Sequence, residues 1–219
     1  MQRREFSFSA ASAAVASLGG IALPTLAQAQ ARAPKDGADY VTLDKPAPTE
    51  VPAGQVEVVE FFWYSCPHCN AFEPTLEAWM KQAPKDVTVR RVPVAFRPDF
   101  EPQQRLFYVL EAMGKVEELH KKVFYAIHVE KFALNTADSI ATWAEKQGLD
   151  KAKFIEMYNS FTVTTKARKA TQLQDIYKVD GVPALGIAGR YYTSATLAQS
   201  MVRALQVTDY LVAQSRTKK

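Results

Sequence analysis

The spacing of apolar residues along this 219-residue chain changes several times, and each change marks a different kind of element. At 56–62 the run Val56-Glu57-Val58-Val59-Glu60-Phe61-Phe62 is nearly all β-branched or aromatic and follows Gly54, which predicts a buried strand. Phe72, Leu76, Trp79 and Met80 then recur at helical spacing. Pro67 suits the first turn of that helix, where a missing N–H is no loss, and Pro74 inside the pattern predicts a kink. A second strand follows at 87–96, disturbed where Pro93 cannot donate to a ladder. Strand, helix and strand together predict a βαβ unit with a right-handed crossover.

From about 101 to 168 the strand pattern is gone. Leu106, Leu110 and Met113, then Leu119, Val123 and Ile127, then Ile140 and Trp143, then Phe154 and Tyr158 predict successive amphipathic helices, with Asn135, Thr136 and Asp150 as caps. Strands return at 184–188 and 191–193 around Gly189-Arg190 as a hairpin, and Leu197, Met201, Leu205 and Tyr210 predict one terminal helix. The segment at 31–52 is polar and proline-rich and predicts no element.

Residues 1–29 read as an export signal. Arg3-Arg4 gives a basic start, 10–26 is small and apolar, and Ala27-Gln28-Ala29 is a small-x-small cleavage site, with Gln30 the expected mature start and cuts after Ala31 or Ala33 as alternatives. Arg3-Arg4-Glu5-Phe6 also resembles a twin-arginine signal without its preceding Ser or Thr, so the export route stays open. Export to the periplasm is the expectation. Apolar residues make up 47% of the chain and charged ones 23%, enough for a real core. The net charge of +4 is spread rather than massed, which argues against nucleic-acid binding.

Only two cysteines are present, in Cys66-Pro67-His68-Cys69. A pair this close cannot staple distant parts of a fold, so it is there for chemistry or for a metal. The second half of a zinc ligand set is absent, and no metal or other cofactor is expected. In an oxidising compartment a lone vicinal pair implies a disulfide that works rather than braces. Cys66, at the exposed start of the helix, should be the low-pKa nucleophile, because a helix N-terminus favours thiolate; Cys69, one turn inside, should resolve. His68 adds a donor or a positive charge beside them.

A strand leading into Cys-x-x-Cys at a helix start, a βαβ closure, a helical stretch and a later ββα resemble a thioredoxin fold with an inserted α-helical domain, an α/β architecture. The division is 30–98 for the first part, 99–168 for the insertion and 169–219 for the second part. More closely, Cys66-Pro67-His68-Cys69 after Glu60-Phe61-Phe62, with Gly181-Val182-Pro183-Ala184 downstream, resembles the DsbA family of periplasmic thiol:disulfide oxidoreductases. A stabilised thiolate is a stabilised reduced form, so the disulfide form oxidises; the resemblance implies that direction here.

The resemblance also implies a cis-proline loop at Val182-Pro183 that presents backbone to substrate, with Pro67 beside it. It implies a buried acid at Glu60 that influences the cysteines and faces, where the family has lysine, Arg91. Glu57 suggests that the strand is not buried throughout, which keeps a solvent-facing Glu60 open. Trp63, Tyr64 and Ser65 are candidate groove residues, Tyr191 and Tyr192 are packing, and His120 and His128 are expected on ordinary amphipathic faces. The implied activity is a monomeric dithiol oxidase acting on reduced, unfolded secreted polypeptides and reoxidised by a DsbB-like membrane quinone reductase. Two alternatives are a disulfide isomerase or reductant, and a peptide-binding holdase that needs no thiols.

Overall fold

A computed structural model describes residues 32–217; the export signal lies outside them. Five strands form one sheet: β1 (Val41–Thr42), β2 (Val56–Phe62), β3 (Val87–Pro93), β4 (Ala184–Ile187) and β5 (Tyr191–Ser194), in the order β1-β5-β4-β2-β3. The continuous apolar run at 56–62 is explained by its place: β2 lies between a parallel β3 and an antiparallel β4, and all seven of its residues are buried. Helix α1 (Pro67–Gln82) makes the crossover from β2 to β3 and runs unbroken through Pro74.

Alternation along β2 sorts its side chains onto two cores. Val56 and Val58 pack with Phe72 and Leu76 of α1, Leu185 and Ile187 of β4, and the terminal helix. Val59 and Phe61, joined by Phe62 at the strand's end, belong to the second core, built with α2 (Glu101–Ala112), α3 (Val116–His128), α4 (Ala137–Lys146), α5 (Lys151–Tyr158) and α6 (Phe161–Ile176). Glu60 shares the side of Val56 and Val58, which turns it toward α1. Thr136 caps α4 through a reciprocal pair with Ser139, and Asp150 caps α5.

Several expectations change. Glu57 is 1% exposed, not solvent-facing, because Arg90 on β3 grips both its carboxylate oxygens at 3.0 Å. The second strand stops at Pro93 rather than 96. Residue 168, where the insertion was divided from the second part, falls inside α6, whose Ala170 and Leu173 continue the same buried face. The hairpin turn is centred on Ala188-Gly189, with φ of 53° and 65° and Arg190 N–H donating to the Ile187 carbonyl, the geometry that matches strand twist. The terminal helix is two, α7 (Ala195–Ala198) and α8 (Met201–Thr217), split where Gln199 takes a φ of 68°. Strand β1, in the proline-rich lead, was not legible.

Gly186 in β4 has no room for a side chain: a Cβ would lie 2.5 Å from Cε1 of Tyr177, a ring 1% exposed and packed edge-on to Phe61. Gly186→Ala is therefore expected to lose about 1–3 kcal/mol of stability by overpacking. Urea denaturation of the variant checks this, and an unchanged midpoint would show that the ring yields.

Candidate active site

The strand-to-helix turn places the two cysteines differently. Cys66 is the N-cap of α1, with extended backbone, and its Sγ accepts the Cys69 backbone N–H at 3.4 Å. Pro67 occupies the first helical turn. Both cysteines are free thiols; Cys69 is fully buried, and Cys66 is 7% exposed rather than standing open as expected for a helix end. The cover over Cys66 includes the Val182 carbonyl, which accepts its S–H at 3.4 Å, and the Val182–Pro183 bond is cis.

These surroundings split the two acidities. The neighbouring Cys69 thiol, donating to the Cys66 sulfur, does most to bring Cys66 down to about 6; burial opposes it, and the backbone N–H groups of Cys69 and His68 and the His68 charge add to it. Burial chiefly, then the Cys66 sulfur, pushes Cys69 far up.

Beside the pair lies an open cleft of about 570 Å³ lined by His68, Val182, Pro183, Phe72, Met201 and Val202 among others. Pro67 is exposed at its edge without lining it. Trp63, Tyr64 and Ser65 are not part of it either. Trp63 stacks on Phe100 with centroids 3.9 Å apart, Tyr64 is 1% exposed, and Ser65 is held by Gln103 through its N–H at 3.1 Å and its Oγ at 2.6 Å. Tyr191 and Tyr192 are buried packing, as expected.

Below the cysteines lies a buried chain of polar groups. Glu60 is fully buried, and the parallel register sets it opposite Arg91. Arg91 Nε is 3.1 Å from Glu60 Oε2, an ion pair by distance whose N–H is not aligned for a hydrogen bond. The same guanidinium donates through Nη2 to Glu73 Oε2 at 3.0 Å. Glu73 Oε1 lies 3.2 Å from His120 Nε2, and His120 Nδ1 lies 2.8 Å from the Tyr64 hydroxyl. Burial, then the Glu73 charge, holds the Glu60 carboxyl well above the usual range against the pull of Arg91. Burial also works to raise Glu73, but the His120 hydrogen bond and Arg91 outweigh it and leave Glu73 below its ordinary value. Two carboxyls share one guanidinium, and of the two Glu60 is the readier to hold a proton.

Glu73 and His120 were missed as site residues. His120 is 3% exposed and sits in this network, not on an ordinary amphipathic face; His128 donates through Nε2 to the Tyr64 carbonyl at 2.8 Å. The available signal for Glu73 was an acid four residues after Cys69 on the face of Phe72 and Leu76. Among the described residues no group of three or more His, Cys, Asp or Glu side chains is arranged to hold a metal ion.

A thiol pair split in acidity at a helix start, beside a cis-proline loop on a thioredoxin-type sheet, defines a thiol:disulfide oxidoreductase. Residues 57–206 match the model of the DSBA-like thioredoxin domain, and the chain belongs to that family. It is 44% identical to the thiol:disulfide interchange protein DsbA of Burkholderia cepacia over 89% of this chain and 92% of that one. It is 39% identical to the same-named protein of Pseudomonas aeruginosa over 93% of each. A crystal structure of Pseudomonas aeruginosa DsbA superposes with a TM-score of 0.78 over 83% of this chain and 94% of that one at 39% identity. That of DsbA from Xylella fastidiosa gives 0.79 over 85% and 100% at 29% identity.

Proposed function

We propose that this oxidoreductase works as a monomeric periplasmic dithiol oxidase of reduced, unfolded exported polypeptides. The observation that carries the direction is the Cys66 environment, which favours thiolate and hence the reduced enzyme. A substrate thiolate attacks Cys66 Sγ of the oxidised enzyme. The Cys66–Cys69 bond breaks, its electron pair leaves on Cys69 Sγ, and the Glu60 carboxyl supplies the proton that this buried sulfur requires. A second substrate thiolate then attacks the substrate sulfur of the mixed disulfide and expels Cys66 as thiolate. The substrate has lost two electrons and the enzyme holds both thiols.

In this reading Val182 and Pro183 present backbone to an extended substrate in the cleft, with Pro67 and His68 at its edge, and His68 also favours the Cys66 thiolate. The electrons leave to a DsbB-like membrane quinone reductase. Among the described residues no helix is long and apolar enough to cross a membrane.

The equilibrium of the pair with glutathione tests the direction. The expected result is a pair more oxidising than glutathione; a pair as reducing as the cytosolic thioredoxins would replace the oxidase with a reductant or isomerase. A holdase would keep its activity in the Cys66→Ala, Cys69→Ala protein, and the oxidase loses it.

Stability gives an independent check. The folded acidity of Cys66 is depressed to about 6 from an ordinary 9.0, so reduced protein gains stability that is complete above the unfolded value and disappears as pH falls through about 6. The disulfide form has no such contribution. Reduced protein should therefore gain on oxidised protein by about 1 kcal/mol between pH 5 and pH 7. Paired urea titrations at the two pH values measure it, and a difference independent of pH would contradict the Cys66 assignment.

A further inference from the structure

We propose that His120 is a positioning residue of the redox centre: held by Tyr64 on one side, it fixes Glu73 onto Arg91, so that the helical segment decides which buried carboxyl carries the proton for Cys69. This rests on the reading that Glu60 protonates Cys69.

The geometry fixes the tautomer. An ionised Glu73 can only accept, so the His120 nitrogen facing it carries the ring proton, and in a neutral ring Nδ1 is then the acceptor to which the Tyr64 hydroxyl donates. The ring proton then sits on Nε2 and points at Glu73 Oε1. Burial lowers His120, against the pull of Glu73, which keeps the imidazole neutral at neutral pH. The groups facing it are Tyr64 from the β2–α1 turn, Glu73 and the more distant Glu77 from α1, and Arg91 from β3. The remaining walls are the rings of Phe62, Phe107 and Phe124.

Each Glu73 oxygen has one donor, Arg91 on Oε2 and His120 on Oε1. Glu60 has neither oxygen hydrogen-bonded. Burial of Glu60 and that inequality together set the two carboxyls apart, Glu73 the readier to ionise and Glu60 the readier to hold a proton. With the His120 donor gone, Glu73 keeps only its Arg91 bond, takes a larger share of the proton, and Glu60 ionises at lower pH. Neither the Cys66 cap nor the cleft involves His120, so the loss falls on the step in which Cys69 leaves.

The test is reduction of the oxidised enzyme by glutathione, with rates corrected for the thiolate fraction of glutathione and followed against pH. The parental rate should fall as pH rises through the Glu60 ionisation. His120→Asn, too short to reach Glu73 but able to pair with Tyr64, should move that limb to lower pH and slow the reaction about tenfold at neutral pH. His120→Gln, long enough to donate to Glu73 and accept from Tyr64, should restore most of the rate. Glu60→Gln should abolish the limb, and adding His120→Asn to it should change nothing more. A Glu60→Gln enzyme that keeps the limb overturns the Glu60 reading and this inference with it. A parental limb in His120→Asn, with the limb lost in Glu60→Gln, overturns the role of His120 alone.

Discussion

Alkylation of the reduced enzyme with iodoacetamide at pH 7 should label Cys66 at least about 100-fold faster than Cys69. With a folded acidity of about 6, Cys66 is mostly thiolate at that pH, whereas a cysteine of ordinary acidity is thiolate only to a few per cent. Cys69 is fully buried and pushed the other way, so it offers neither thiolate nor access. A low-pKa thiolate is a weaker nucleophile per molecule, which trims the absolute rate without reversing the order. The Cys66 rate should fall as pH drops through about 6. A profile with its midpoint near 8.5, or Cys69 labelled first in a peptide digest, would reverse the assignment of nucleophile and resolver.

Arg91→Met should cost about 3–5 kcal/mol of stability, because removing one partner leaves a buried charge unpaired. The charge exposed is chiefly that of Glu73, which is held below its ordinary value while Glu60 is held above. Glu73 is depressed in the folded protein, so its contribution is present above the ordinary carboxylate range and lost as pH falls through its folded value. The penalty of the variant should therefore be largest near neutrality and shrink in acid, where Glu73 can take a proton. Arg91→Lys, which keeps a cation but not the fork that spans Glu60 and Glu73, should fall between the two. Urea midpoints at pH 7 and pH 4 measure the series. A parental midpoint for Arg91→Met at pH 7 would mean that the two carboxyls do not depend on this guanidinium.

The reach of the sequence follows the range of the interaction concerned. The Cys66 cap, the βαβ crossover and the helical stretch are set by neighbours in the chain, and periodicity with turn chemistry exposes them. The pairing of Glu60 with Arg91 came from the family resemblance rather than from the pattern, and the parallel register that sets the two residues opposite each other accounts for it. Glu57 was misjudged because a charged residue in a strand ordinarily marks a wet face, and its partner Arg90 lies 33 residues away. His120 was misjudged for the same reason: its partners lie 47 and 56 residues off, and nothing local distinguishes a helix-face histidine from one closing a network. Strand β1 has two residues and exists only because β5 offers an edge. The split at Gln199 depends on a left-handed residue that no glycine announces.

An extended polypeptide segment can add itself to any strand left open at the edge of a sheet. One border here is β1, too short to act as a template. The other is β3, which carries the adjacent charges Arg90 and Arg91 and ends at Pro93, where no N–H is available for pairing. The arginines that pair with Glu57 and face Glu60 from within thus lie on the same strand that closes this rim to an added strand.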